Sequence, residues 1–140
     1  MKILFLGDVV GISGCSKVLN NLKSEVEKKK IDFVILNGEN SAEPGVGLTE
    51  QICKDFFNCG VNVITSGNHV WDQKEIMTYI DKESRLLRPY NLFEPSPGKG
   101  FEIYKTSNNI NIGVLNLMGN VFMKKCEDVF ETAKKFLQEH

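Results

Sequence analysis

The sequence predicts an α/β fold built on a parallel sheet, and three observations carry that reading. Short apolar runs bounded by turn residues alternate with segments of helical period. The first three of these runs each lead into a loop in which glycine stands beside polar residues. The composition, 41% hydrophobic and 25% charged, is that of an ordinary globular chain, which excludes a disordered tail, a collagen-like repeat and a disulfide miniprotein. The 140 residues amount to one domain, 1–140, able to bury about two-thirds of its unfolded surface.

The elements follow in order. Lys2 to Leu6 reads as the first strand, and Ser16 to Lys30 as a helix with Val18, Leu22 and Val26 on one stripe. The second strand is Phe33 to Leu36. A Gly-rich loop, Glu43 to Gly47, precedes a helix from Thr49 to Asn58 with Ile52, Phe56 and Cys59 facing inward and Gly60 as its stop. Val61 to Thr65 is the third strand, and Asp72 to Glu75 resembles a capping box opening a helix through Ile76, Met77 and Ile80. A loop from Glu94 to Gly100 then leads into a hairpin, Phe101 to Lys105 and Ile110 to Leu117, turning at Ser107 to Asn109. The last segment, Glu127 to Gln138, is amphipathic, with Val129, Ala133, Phe136 and Leu137 on one face. The whole reads as three βα units, a hairpin and a terminal helix.

Seventeen Lys and Arg against eighteen Asp and Glu give a net charge of −1, so no basic field exists for duplex nucleic-acid binding. The apolar run Ile3 to Leu6 is too short for a signal-peptide core or a membrane span, which predicts a cytoplasmic protein without a membrane partner. The cysteines Cys15, Cys53, Cys59 and Cys126 form no C-x-x-C pair and are expected to be reduced and mostly buried.

In parallel sheets, ligands bind beyond the carboxyl ends of the strands, where the loops converge. Past the first strand stands Gly7-Asp8-Val9-Val10-Gly11, past the second Asn37-Gly38-Glu39-Asn40, and past the third Ser66-Gly67-Asn68-His69. Asp8 alone reads as a turn residue, but the three loops together would gather Asp8, Glu39, Asn40, Asn68 and His69 around one point. Two carboxylates and two amides suit hard or borderline divalent ions, manganese, magnesium or iron(II), and not a thiolate-rich zinc site. Glu39 has two oxygens with which to bridge a pair of ions, the usual clamp on a phosphoryl group. His69 reads as a general acid able to protonate a leaving alkoxide, while His140 at the terminus is assigned nothing. A Rossmann phosphate loop through Gly7, Gly11 and Gly14 lacks the G-x-G-x-x-G spacing and would set Asp8 where the phosphate should lie.

The blocks GDVVG (Gly7–Gly11), NGEN (Asn37–Asn40) and SGNHVWD (Ser66–Asp72) resemble those of the calcineurin-like metallophosphoesterases, and within them the bacterial YmdB-like branch of 2′,3′-cyclic-nucleotide 2′-phosphodiesterases. GVGLTE (Gly45–Glu50), RPYN (Arg88–Asn91), SPGKGF (Ser96–Phe101) and NLMGNVFM (Asn116–Met123) extend the similarity across the chain. The resemblance implies an α/β/β/α sandwich and a two-ion centre of iron or manganese, with magnesium a third candidate. It implies that Asp8 and Asn40 bind the first ion, that Glu39 bridges both, that Asn68 binds the second and that His69 is the proton donor. One local departure is Gly14-Cys15, where family members commonly carry an arginine after the glycine.

The family pattern continues with D-F-H-like and G-T-H-T-H-like blocks bearing three more histidine ligands, and these blocks are absent here. The chain is therefore expected to correspond to the N-terminal portion of such an enzyme. It would be impaired alone, or dependent on a separate polypeptide supplying the other half, with a phosphodiester or cyclic-nucleotide substrate. A non-catalytic remnant is the alternative. An open sheet edge and an uncovered helix face also predict self-association into a homo-oligomer.

Overall fold

The computed structural model describes residues 1–93, 96–122 and 126–140. Glu94 and Pro95 of the expected loop and Met123 of the NLMGNVFM block lie outside them. Four strands, β1 (Ile3–Leu6), β2 (Phe33–Asn37), β3 (Val63–Thr65) and β4 (Leu86–Leu87), pair in parallel in the order β1-β2-β3-β4. A second sheet is the antiparallel hairpin of β5 (Phe101–Lys105) and β6 (Asn111–Leu115).

Alternation along the buried strands decides which layer meets which. Val34, Leu36, Ile64 and Leu86 face the helices α1 (Gly11–Lys29) and α2 (Glu50–Cys59), packing with Leu22, Cys53 and Phe56. Phe33, Val63 and Leu87 face the opposite way and meet Ile112 and Val114 of β6. The terminal helix α4 (Val129–Glu139) adds a fourth layer. Its Phe136 ring meets Phe101 of β5 edge-on at 4.6 Å and Tyr90 at 5.5 Å. The α/β/β/α order is thus present in reduced form.

The helix ends show why these segments stop where they do. Thr49 caps α2 by accepting the Ile52 N–H at 3.2 Å, and Gly60 closes it in a left-handed conformation, φ +111°, that suits a residue without Cβ. Asp128 caps α4 by accepting the N–H groups of Phe130 and Glu131. The four cysteines are free, and Cys15, Cys53 and Cys126 are buried as expected.

Several elements differ from expectation. Helix α1 starts at Gly11, not Ser16, because the chain is set by a tertiary bond: the Gly11 N–H donates to the Asn40 carbonyl at 2.9 Å, with no side-chain cap. The Asp72–Glu75 capping box does not form. Asp72 binds His69, Glu75 accepts the Glu50 N–H at 2.7 Å, and the helix that follows, α3 (Ile76–Tyr79), is a single turn. Strand β3 is shorter than expected because the Asn62 side chain takes over, its Oδ1 accepting the Val34 N–H at 2.7 Å. Strand β4 was not expected at all, since two leucines show no periodicity. Leu137 is 76% exposed, and the inward face of α4 runs through Thr132 and Phe136 with Val129 and Ala133 beside them. Among the described residues, no helix is long and apolar enough to cross a membrane.

Candidate functional site

Because β1, β2 and β3 are parallel, the three loops that follow them leave the sheet at the same edge. The first loop is strained. Asp8 has φ +28°, a conformation side chains with a Cβ rarely adopt, and it is held there by its neighbours. The Val9 N–H donates to the Asn37 carbonyl at 3.0 Å, and the Asn40 Nδ2 donates to Asp8 Oδ1 at 2.8 Å. That bond uses the amide nitrogen and leaves the Asn40 oxygen as the group available to a cation. Cys15 stands beneath the same loop, and its thiol donates to the Ser41 carbonyl at 3.2 Å. Burial pushes that thiol above its ordinary pKa, so it serves as a neutral tether between α1 and the second loop.

The second loop rests on β3 through the Gly38 N–H, which donates to the Thr65 carbonyl at 3.0 Å. Its Glu39 carboxylate lies in the notch left by Gly67, where an added Cβ would overlap all three carboxylate atoms. Glu39 Oε1 also accepts the His69 backbone N–H at 3.1 Å. One side chain therefore locks the second loop to the third. His69 in turn has its Nδ1 2.6 Å from Asp72 Oδ2, which leaves Nε2 as the free ring nitrogen.

Glu39, Gly67 and Asn68 line a cavity of about 310 Å³ whose far wall is Asn116 to Gly119, beyond β6. Asn116 fixes that wall, its Nδ2 donating to the Ser66 carbonyl at 2.9 Å and the Leu87 carbonyl at 3.1 Å.

The structure thus brings the five expected residues into two neighbouring groups. Glu39, Asn68 and His69 share one, while Asp8 and Asn40 form a bonded pair joined to it through the Glu39–Asn40 peptide. Among the described residues no three His, Cys, Asp or Glu side chains cluster closely enough to hold a metal by themselves. The donor set still suits a hard divalent cation: two carboxylates and two amides, with a glycine notch cut for one of the carboxylates. Such an ion would draw on amide oxygens and on ligands from outside this set.

Three residues at the site were missed or misread in the sequence. Gly67 looked like a turn residue, and nothing in the sequence showed that its absent side chain makes room for Glu39. Asp72 was read as a helix cap, although its spacing of three from His69 was a visible signal. Asn116 stood in the NLMGNVFM block, but its bonding role could not be read there, because it depends on the hairpin crossing back over β3 and β4.

Comparison with known proteins bears on the fold and the family. The chain is 42% identical over 139 residues to a 2′,3′-cyclic-nucleotide 2′-phosphodiesterase of Bacillus subtilis (strain 168), a match covering 99% of this chain and 52% of that protein. Among solved structures it resembles a hypothetical protein from Thermus thermophilus, with a TM-score of 0.90 and 32% identity over 100% of this chain and 54% of that one. It also resembles a protein described as a novel phosphatase from Mycoplasma pneumoniae, with a TM-score of 0.89 and 32% identity over 100% of this chain and 51% of that one. The chain spans about half the length of these relatives. Residues 4–140 match the family model described as YmdB-like protein. With fold and sequence in agreement, the chain belongs to the YmdB-like protein family.

Proposed function

We propose that these 140 residues form one domain carrying part of the active site of a cytoplasmic, metal-dependent phosphodiesterase that acts on cyclic nucleotides or related phosphodiesters. The observation that supports this most is the seating of Glu39 in the Gly67 notch with its oxygen on the His69 N–H. It joins the carboxylate suited to bridging two ions to the amide and imidazole of the next loop. Asp8, Glu39, Asn40 and Asn68 would hold the ions, iron or manganese before magnesium, and two bound ions would polarise the phosphate and activate water. His69 would carry a proton on Nε2 to the leaving oxygen. Asp72, accepting the Nδ1–H, would orient the ring, which is doubly protonated when it gives up the Nε2 proton.

Co-expression with the other half of the Bacillus subtilis relative tests the reading, with 2′,3′-cyclic AMP and bis(p-nitrophenyl) phosphate as substrates and Mn²⁺ as the ion. Metal-dependent hydrolysis is expected, lowered about 100-fold or more by His69→Ala and similarly by Glu39→Gln. Hydrolysis that is absent, or unaffected by both substitutions, overturns it. Asp72→Asn is expected to lower kcat about tenfold with KM little changed, as steady-state kinetics would show.

A second reading, a non-catalytic remnant, is favoured by the lack of any cluster of three His, Cys, Asp or Glu among the described residues. It predicts a chain that purifies without metal and stays inert beside the complementing half.

A further inference from the structure

The turn from Ala42 to Glu50 contains the whole GVGLTE block and holds none of the candidate ligands, yet it is closely built. The Ala42 N–H donates to the Gly47 carbonyl at 2.9 Å and the Gly45 N–H to the Ala42 carbonyl at 2.8 Å, while Leu48 is wholly buried. The same turn meets the segment that carries the proton donor. Gln73 Nε2 donates to the Val46 carbonyl at 3.1 Å, and Glu75 Oε1 accepts the Glu50 N–H at 2.7 Å. Gly47 lies at the centre of this contact. Its φ of +81° is one that side chains with a Cβ rarely adopt, and a Cβ there would stand 3.0 Å from Gln73 Cγ, 3.3 Å from Asp72 Cβ and 3.4 Å from the Gln73 nitrogen.

The His69–Asp72 pair needs such a support. Its side chains are 36% and 38% exposed, and a pair in that setting gains too little from its own attraction to fix its geometry. Residues 66–75 form neither helix nor strand, so no backbone ladder holds them. Glu39 anchors the His69 end through the backbone N–H. At the other end Asp72 has Gly47 against its Cβ, and the next residue along the chain is tied to Val46.

We infer that Gln73 and Gly47 are positioning residues for the proton donor: the Gln73–Val46 bond, made across the bare face of Gly47, sets where Asp72 stands, and Asp72 sets the ring of His69. The inference rests on the catalytic reading of His69. Gln73 acts only through Asp72, so its loss cannot cost more than the loss of Asp72 itself.

Gln73→Met keeps the length of the side chain and removes the donor. In the chain co-expressed with the complementing half of the Bacillus subtilis relative, it should lower kcat for 2′,3′-cyclic AMP about fivefold, within the roughly tenfold expected of Asp72→Asn, with KM and Mn²⁺ affinity little changed. Gly47→Ala should act in the same direction, whereas Glu43→Gln, exposed on the same turn, should have no effect. In the Asp72→Asn background Gln73→Met should cause no further loss, because the group it positions is already gone.

A second readout needs no activity. At a pH where the His69 ring is neutral, its bond to Asp72 requires the proton on Nδ1. Nitrogen NMR of the isotope-labelled chain should show that form, and Gln73→Met should shift the ratio of the two tautomers about threefold or more toward the Nε2–H form. Amide exchange in β2 and β3 should stay as slow as before. An unchanged tautomer ratio, a loss of kcat that persists undiminished in the Asp72→Asn background, or exchange speeded equally in β2 and β3 would each overturn the inference. Absence of hydrolysis even without substitutions removes the catalytic reading, and the tautomer ratio then decides alone whether Gln73 holds the ring.

Discussion

Gly67→Ala is expected to remove the cation affinity proposed for the site while the fold survives. The new methyl would occupy the position of the Glu39 carboxylate. The backbone at Gly67 is not in the left-handed region, so alanine brings no conformational strain there. What must move is the far end of a flexible side chain, which swings out toward solvent at little cost in stability. It takes with it the bond to the His69 N–H and the link between the second and third loops. Titration calorimetry with Mn²⁺ should show affinity reduced at least tenfold, about 1.4 kcal/mol, against a melting curve shifted only slightly. Unchanged affinity would mean that Glu39 holds no ion.

The largest loss of stability is expected from Asn91→Leu. Asn91 is fully buried, and its one side chain makes three hydrogen bonds to the backbone at two places, Met118 and Glu127. Its Oδ1 accepts the Met118 N–H at 2.9 Å, and its Nδ2 donates to the Met118 carbonyl at 2.7 Å and the Glu127 carbonyl at 2.8 Å. Leucine has nearly the same shape but leaves the Met118 N–H and the Glu127 carbonyl without their Asn91 partner and the Met118 carbonyl with only the long bond from the Cys126 thiol, at about 1–3 kcal/mol for each group that stays dry and unpaired. A total near 4 kcal/mol corresponds to a fall in Tm of roughly 15 °C. The loss should be accompanied by faster amide exchange at Met118 and Glu127, the points where Asn91 ties down the cavity wall and the approach to α4. A fall of only a few degrees would mean that water takes over the three bonds.

How much of this was legible depended on the range of the interactions involved. The strands β1, β2 and β3 and the helix α2 were readable because their signals are local: apolar runs, a Thr cap and a Gly stop. The first loop was misjudged because Gly11 and Gly14 look like loop residues. In the fold, however, Gly11 is bound by the Asn40 carbonyl, and Gly14 lets the Val9 side chain close against the helix, 3.2 Å from where a Cβ would stand. Glu39, Asn68 and His69 could be placed together from strand ends alone. Their detailed roles could not, since the Glu39 seat depends on a missing atom at Gly67 and the ring of His69 is set by Asp72. Leu137 was misassigned by one helical position, a shift periodicity cannot resolve over so short a helix.

The simple succession β1-β2-β3-β4 also bears on how the protein is made. Each parallel strand docks on the one synthesised just before it, so no unit must wait for a distant partner to emerge. Loop-closure costs stay small at every step, and the sheet can zip up on the ribosome in the order of translation. A nascent chain arrested soon after Leu87 clears the exit tunnel would already possess the helical layer's support and all three loops that follow β1, β2 and β3.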